Sequence, residues 1–135
     1  MDNLTDTDLA YLAGFFDADG CVSLTERNGR FVIQVIVTQL NKSVLDYWQQ
    51  KTGLGSVIIM RDGVWQWQIN KPDIRQFLTA LYPFLLLKKD EAGIAIRYRE
   101  ALYHDRGRKN PLHVITFRRG LVDEMKNKKN NRVVF

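Results

Sequence analysis

Apolar residues at Leu9, Leu12, Ala13 and Phe16 recur at helical spacing, so residues 1–20 are predicted to form a helix. Thr5 with Asp8 three positions later reads as its capping box, and Gly20 as its C′ residue. The period then changes to two. Val22 and Leu24 alternate with Ser23, Thr25 and Arg27; after Asn28-Gly29, Phe31, Ile33, Val35 and Val37 alternate with Arg30, Val32, Gln34, Ile36 and Thr38. Residues 21–39 are thus a predicted hairpin with a type I′ turn, one face apolar and the other largely polar.

A short helix is predicted over 43–52, stopping at Gly53, followed by a second hairpin with Asp62-Gly63 at its turn. Ile58, Met60, Trp65, Trp67 and Ile69 are expected on its apolar face, with Arg61, Gln66 and Gln68 opposite. Pro72 suits the first turn of another helix, which Tyr82-Pro83 breaks near Leu81. Helices over roughly 88–104 and 112–127 follow, joined by a polar loop from Asp105 to Asn110. The order α-ββ-α-ββ-α, then further helix, predicts an α+β fold. A four-stranded antiparallel sheet is expected, with helices on one face and the other face left open. Residues 1–135 are expected to form one domain, with about 127–135 as a flexible basic tail.

The open face is unusual in content. A two-residue turn sets Arg27 opposite Arg30, and like charges so placed are destabilising by up to ~1 kcal/mol. With Ser23, Thr25, Gln34, Thr38, Arg61, Gln66 and Gln68, the face holds side chains suited to base edges and phosphate. A solvated face would more usually carry Lys and Glu. Trp65 and Trp67 could stack on bases, but their parity with Ile69 assigns them to the core.

Composition agrees with a polyanionic partner. The net charge is +5 and the pI about 9.5. Cys21 is the single cysteine, so no intrachain disulfide can form. With no secretory leader in view, a reducing intracellular setting is expected. No apolar run is long enough to span a membrane, and His104 and His113 have no cysteines near them to build a zinc site.

The chemistry is concentrated in Leu12-Ala13-Gly14-Phe15-Phe16-Asp17-Ala18-Asp19-Gly20. Ala10, Ala13 and Gly14 form a strip of small residues that lets a second helix approach closely. Gly14 in mid-helix costs about 1 kcal/mol relative to Ala, which asks for a packing reason. Asp17 and Asp19 oppose the macrodipole at the helix C-terminus, where the last carbonyls lack helical partners. Carboxylate plus carbonyl oxygen suits a hard divalent cation. Read alone, Asp-Ala-Asp-Gly would equally close the helix as an ordinary turn.

The nine-residue string resembles the signature of the LAGLIDADG homing endonucleases, with Phe-Phe in place of Leu-Ile. The hairpin that follows, Val37-Thr38-Gln39, and Pro83-Phe84-Leu85-Leu86-Leu87-Lys88 extend the resemblance over about residues 5–105. It implies a metal-dependent endonuclease acting on a long pseudo-palindromic site in double-stranded DNA. One motif copy implies a homodimer, packed through Ala10, Ala13, Gly14 and Asp17. Asp19 would bind Mg²⁺ from each subunit, helped by the Ala18 carbonyl, with Mn²⁺ or Ca²⁺ substituting for binding. Gln39 would lie near the attacking water and Lys88, or else Lys89, near the scissile phosphate. Asp17 would be structural. The alternatives on the same fold are an RNA maturase and a non-cleaving DNA-binding regulator. A calcium module of the EF-hand type is excluded by the missing ligands.

Overall fold

The computed structural model describes residues 1–101 and 112–130. Helix α1 spans Asp6–Asp19, and the Thr5–Asp8 capping box closes its start in both directions. Gly20 ends it without a left-handed turn. Its backbone is extended (φ −83°, ψ 165°) and leads straight into β1 (Gly20–Arg27). Glycine is required there for space: a Cβ would sit 2.4 Å from the Phe16 ring and 2.6 Å from the Phe16 carbonyl.

β1 pairs with β2 (Arg30–Gln39) through a two-residue turn in which Asn28 and Gly29 both have left-handed φ (53° and 78°). Val22, Leu24, Ile33, Val35 and Val37 are buried on one face, as the alternation predicts, and Arg27 does face Arg30. Helix α2 (Lys42–Thr52), capped by Asn41, stops at left-handed Gly53.

The second hairpin departs from expectation by one residue. Asp62 and Gly63 take left-handed φ, but β3 (Ser56–Ile59) and β4 (Trp65–Gln68) pair Ile59 with Trp65 and Ile58 with Gln66. Met60 N–H donates to the Val64 carbonyl at 2.7 Å, so the loop is the three residues Arg61–Gly63. A two-residue turn would have paired Ile58 with Trp67. The slip of one moves Ile58 to the polar face beside Gln66 and puts Val57 and Ile59 with the tryptophans.

The sheet order is β1-β2-β4-β3, all antiparallel. Pro72 lies in a 3-10 turn leading into α3 (Ile74–Leu81), and a second such turn over Tyr82–Phe84 ends it. α4 spans Lys89–Ala101 and α5 Leu112–Asn130. The expected loop at 105–110 falls outside the described residues. The basic segment expected to trail from 127 is helical through Asn130, with Lys128 3.6 Å from Asp90 on α4.

An aromatic column runs through the core beneath the sheet. Phe16, Phe77 and Trp67 meet edge-on with centroids 5.7 and 5.4 Å apart, and Trp67 Nε1 donates to the Leu54 carbonyl at 2.9 Å. Each fully buried aromatic contributes roughly 1.5–3 kcal/mol. This column fixes the motif helix against the sheet. At the other end of β1, Glu26 accepts from Arg119 Nε of α5 at 2.8 and 3.1 Å. No helix among the described residues is long and apolar enough to cross a membrane.

Candidate active site

The first acid of the motif is a structural latch. Asp17 is buried on the inner side of α1, and its two carboxylate oxygens accept from Leu86 N–H (2.8 Å) and Lys88 N–H (3.0 Å). Lys88 answers in the opposite direction, its ammonium donating to the Asp17 main-chain carbonyl. A cation at a helix C-terminus meets the negative end of the macrodipole. The segment after α3 is thereby tied to the end of α1 at three points.

That geometry bears on the expectation for Lys88. Its side chain is buried, 6% exposed, and engaged with the helix end. Lys89 lies with Nζ 5.0 Å from the centre of the Tyr82 ring.

Two residues further on, the helical rotation carries Asp19 out to solvent. Gln39, the last residue of β2, donates its amide Nε2 to Asp19 Oδ2 at 2.9 Å. Asn41 N–H donates to Gln39 Oε1 at 3.3 Å, which fixes the amide with its NH₂ toward Asp19. Asn41 also caps α2 through Val44 N–H. The sequence places Asp19 and Gln39 twenty residues apart; the hairpin folds them together. Asn41 as the residue that orients Gln39 was not anticipated, though an Asn before a helical run is a recognisable cap.

The donor set suits a hard divalent cation. Asp19 offers an exposed carboxylate and Ala18, also exposed, lies in the last helical turn, where carbonyls lack helical donors. Among the described residues no three His, Cys, Asp or Glu converge. Mg²⁺ commonly keeps several waters and takes one or two carboxylates together with phosphate oxygens, so a single carboxylate per chain fits it.

The open sheet face presents rows across the strands: Arg27 with Arg30, Thr25 with Val32, Ser23 with Gln34, Cys21 with Ile36, Gln68 and Ser56, and Thr38 with Gln66 and Ile58. Arg27, Arg30, Thr25, Gln34 and Thr38 are exposed. Gln66 is buried, accepting from Gln68 Nε2 at 2.7 Å and facing Thr38 Oγ1 at 3.5 Å, so its amide serves its neighbours. Arg61 is exposed in the loop, beyond the paired strands.

Ion pairs gather toward the helices. Toward the helices, Arg75 pairs with Glu100, Arg97 with Glu124, Lys128 with Asp90 and Arg119 with Glu26. Among the described residues Arg27, Arg30 and Arg61 form no ion pair. These three lie along the hairpins.

On α1, Ala10, Gly14 and Ala18 are exposed at successive four-residue steps, while Ala13 is wholly buried within the protomer. Nothing lies within 4 Å of where a Gly14 Cβ would be. Tyr11 is 62% and Leu86 87% exposed along the same helix and its latch.

The fold, five helices and a four-stranded antiparallel sheet, is that of the LAGLIDADG homing endonucleases. The homing endonuclease I-CvuI, solved in complex with DNA, superposes with a TM-score of 0.77 at 22% identity, over 96% of this chain and 86% of that one. The archaeal intron-encoded I-Vdi141I, also complexed with DNA, gives 0.78 at 20%, over 91% and 84%. The LAGLIDADG meganuclease I-AabMI bound to uncleaved DNA gives 0.75 at 14%, over 94% of this chain but 50% of that one. No curated protein matches by sequence. Residues 6–81 match the LAGLIDADG-like domain family, and the chain belongs to it.

Proposed function

We propose that this protein is a homodimeric, site-specific endonuclease that hydrolyses phosphodiester bonds in double-stranded DNA with a divalent metal, Mg²⁺ foremost. The observation that carries the proposal is the Asp19–Gln39 contact, an exposed carboxylate held by an oriented amide at one end of a sheet with exposed arginines.

In this reading the open face lies in the major groove. Arg27, Arg30 and Arg61 meet phosphates or guanine edges, and Gln34, Gln68, Ser23, Thr25 and Thr38 read bases; Gln66 holds its neighbours in place. Ala10, Gly14 and Ala18, flanked by Tyr11 and Leu86, pack against the same residues of a second copy, with Ala13 supporting from inside. Asp17 keeps the helix end rigid at that interface. The two-fold axis then brings both Asp19 carboxylates to the middle of the bound duplex.

A divalent ion bound there would activate water and stabilise charge on the phosphate. Asp19 and the Ala18 carbonyl supply protein ligands to it. Gln39 holds Asp19 and offers its amide to water at the site. Lys88, through the Asp17 carbonyl, holds the helix terminus that carries Asp19 and offsets part of its negative end.

The test is plasmid cleavage in Mg²⁺ beside a gel shift in Ca²⁺, on DNA carrying a site selected from a randomised pool. Asp19→Asn keeps the shape and removes the charge. It is expected to abolish cutting while target binding stays level or tightens. Near wild-type cutting by Asp19→Asn would overturn the metal assignment. Binding by the wild type without cutting would favour a regulator, and binding of a group I intron transcript alone would favour a maturase.

A further inference from the structure

Lys42 is an exposed cation at the end of the sheet that carries Gln39. Lys42 opens α2 directly after Asn41, whose N–H orients Gln39. Its Nζ lies 5.1 Å from the centre of the Trp65 ring. Trp65 is the cross-strand partner of Gln39, and such partners have Cβ atoms about 5 Å apart on the same face. Gln39 thus bonds Asp19 on one side of β2 and pairs with Trp65 on the other, where Lys42 lies over the ring.

The other lysines considered for this role are differently placed. Lys88 is buried against the α1 terminus and Lys89 lies over Tyr82. Lys42 has a side chain 45% exposed, and its partner is Asp46 at 2.7 Å, one turn along α2 and itself 38% exposed. An exposed pair of this spacing is weak and easily exchanged for a stronger anion. Trp65 limits where the ammonium can go without consuming its charge.

We propose that Lys42 is the cation that contacts the reacting phosphate, exchanging Asp46 for it when DNA binds. This rests on the endonuclease reading above. It adds a residue to the site: Lys88, expected from sequence near the scissile phosphate, holds the helix end, and Lys42 meets the substrate.

The experiment uses the full chain and a duplex selected from a randomised pool by binding in Ca²⁺, so that a probe exists even without cutting. Lys42→Met is expected to slow single-turnover cleavage in Mg²⁺ at least tenfold and to reduce the slope of log K against log salt by about 0.9, the value of one phosphate contact. Its Tm is expected to match the wild type, because the pair it breaks is on the surface. Lys42→Arg is expected to restore most of both losses, and Asp46→Asn to tighten binding several-fold by releasing the ammonium. Wild-type cleavage rate and an unchanged salt slope in Lys42→Met would overturn the proposal. If the wild type binds but does not cut, the endonuclease reading falls while the phosphate contact is still decided by the slope: a reduction supports it and no change removes it.

Discussion

Asp17 and Asp19 are two residues apart and share one side-chain chemistry, yet the helix gives them opposite tasks. A step of two rotates the side chain by about 200°, from inside the protomer to outside. Asp17 meets two backbone donors of the latch, at 2.8 and 3.0 Å. Hydrogen bonds to a carboxylate are the stronger kind, and a buried donor left unsatisfied adds its own cost. Asp17→Asn is expected to destabilise the fold by about 2–4 kcal/mol, measured by chemical denaturation. Asp19→Asn is expected to leave stability within about 0.5 kcal/mol, as exposed substitutions usually do. The contrast, read in one denaturation experiment, separates a structural acid from a chemical one. Gly20 belongs to the same scale. Gly20→Ala must displace the Phe16 ring or its carbonyl, and Phe16 anchors the aromatic column. A loss of about 1–3 kcal/mol is expected, typical of overpacking, with cleavage falling as the helix end shifts.

At the scale of elements, pattern and turn chemistry were legible where they agreed. Asn28-Gly29 demands left-handed φ at both positions and the flanking alternation allows one register, so β1 and β2 follow residue for residue. Asp62-Gly63 carries nearly the same signal and takes the same φ signs, but its loop holds three residues. Dipeptide identity sets the turn's handedness; the pairing of β3 with β4, which puts Val57 and Ile59 opposite the tryptophans, sets its length. Helix ends were legible through the capping box at Thr5 and the stop at Gly53, whereas the Asn41 cap of α2 went unread. The extension of α5 to Asn130 was hidden because its polar, basic sequence resembles a tail and its order comes from long-range pairs such as Lys128–Asp90. A related pair gives a pH test. Hydrogen bonding from Arg119, aided by Gly29 N–H, holds the Glu26 carboxyl below its ordinary value of 4.5. The charged form is favoured by folding, so its stabilisation is full above that value and is lost as pH falls through the lowered one. Glu26→Gln is expected to be less stable than the wild type at pH 6, with the difference closing in more acid solution. A constant difference down to pH 2 would show that the pair carries no linked proton.

At the scale of the whole molecule, the open sheet face and the exposed strip of α1 each make the other useful. The open sheet face of one protomer is one ten-residue strand long along β2. At ~3.3 Å per residue that spans about 33 Å, roughly ten base pairs at ~3.4 Å each. Two protomers related by the axis at α1 would cover about twenty, and a nuclease footprint of six to eight would contradict that pairing. The small-residue strip was only partly legible: Ala10 and Gly14, four apart, share the outer face with Ala18, whereas Ala13, three after Ala10, is turned inward and fully buried. Gly14 gives the sharpest test of assembly. Within the protomer a Cβ at Gly14 meets nothing within 4 Å, so a larger residue costs no packing there. Replacing a mid-helix glycine by leucine recovers up to about 1 kcal/mol of helix propensity. An isolated protomer would therefore be stabilised by Gly14→Leu. A protomer that packs this strip against its mate would be forced apart, because helices in close contact at small residues leave no room for an isobutyl group. The expected outcome is a monomer in sedimentation with a Tm equal to or above the wild type at low concentration, and loss of cleavage at concentrations where the wild-type dimer cuts. A Gly14→Leu protein that still sediments as a dimer would place the two-fold interface elsewhere, and with it the pairing of the two Asp19 carboxylates.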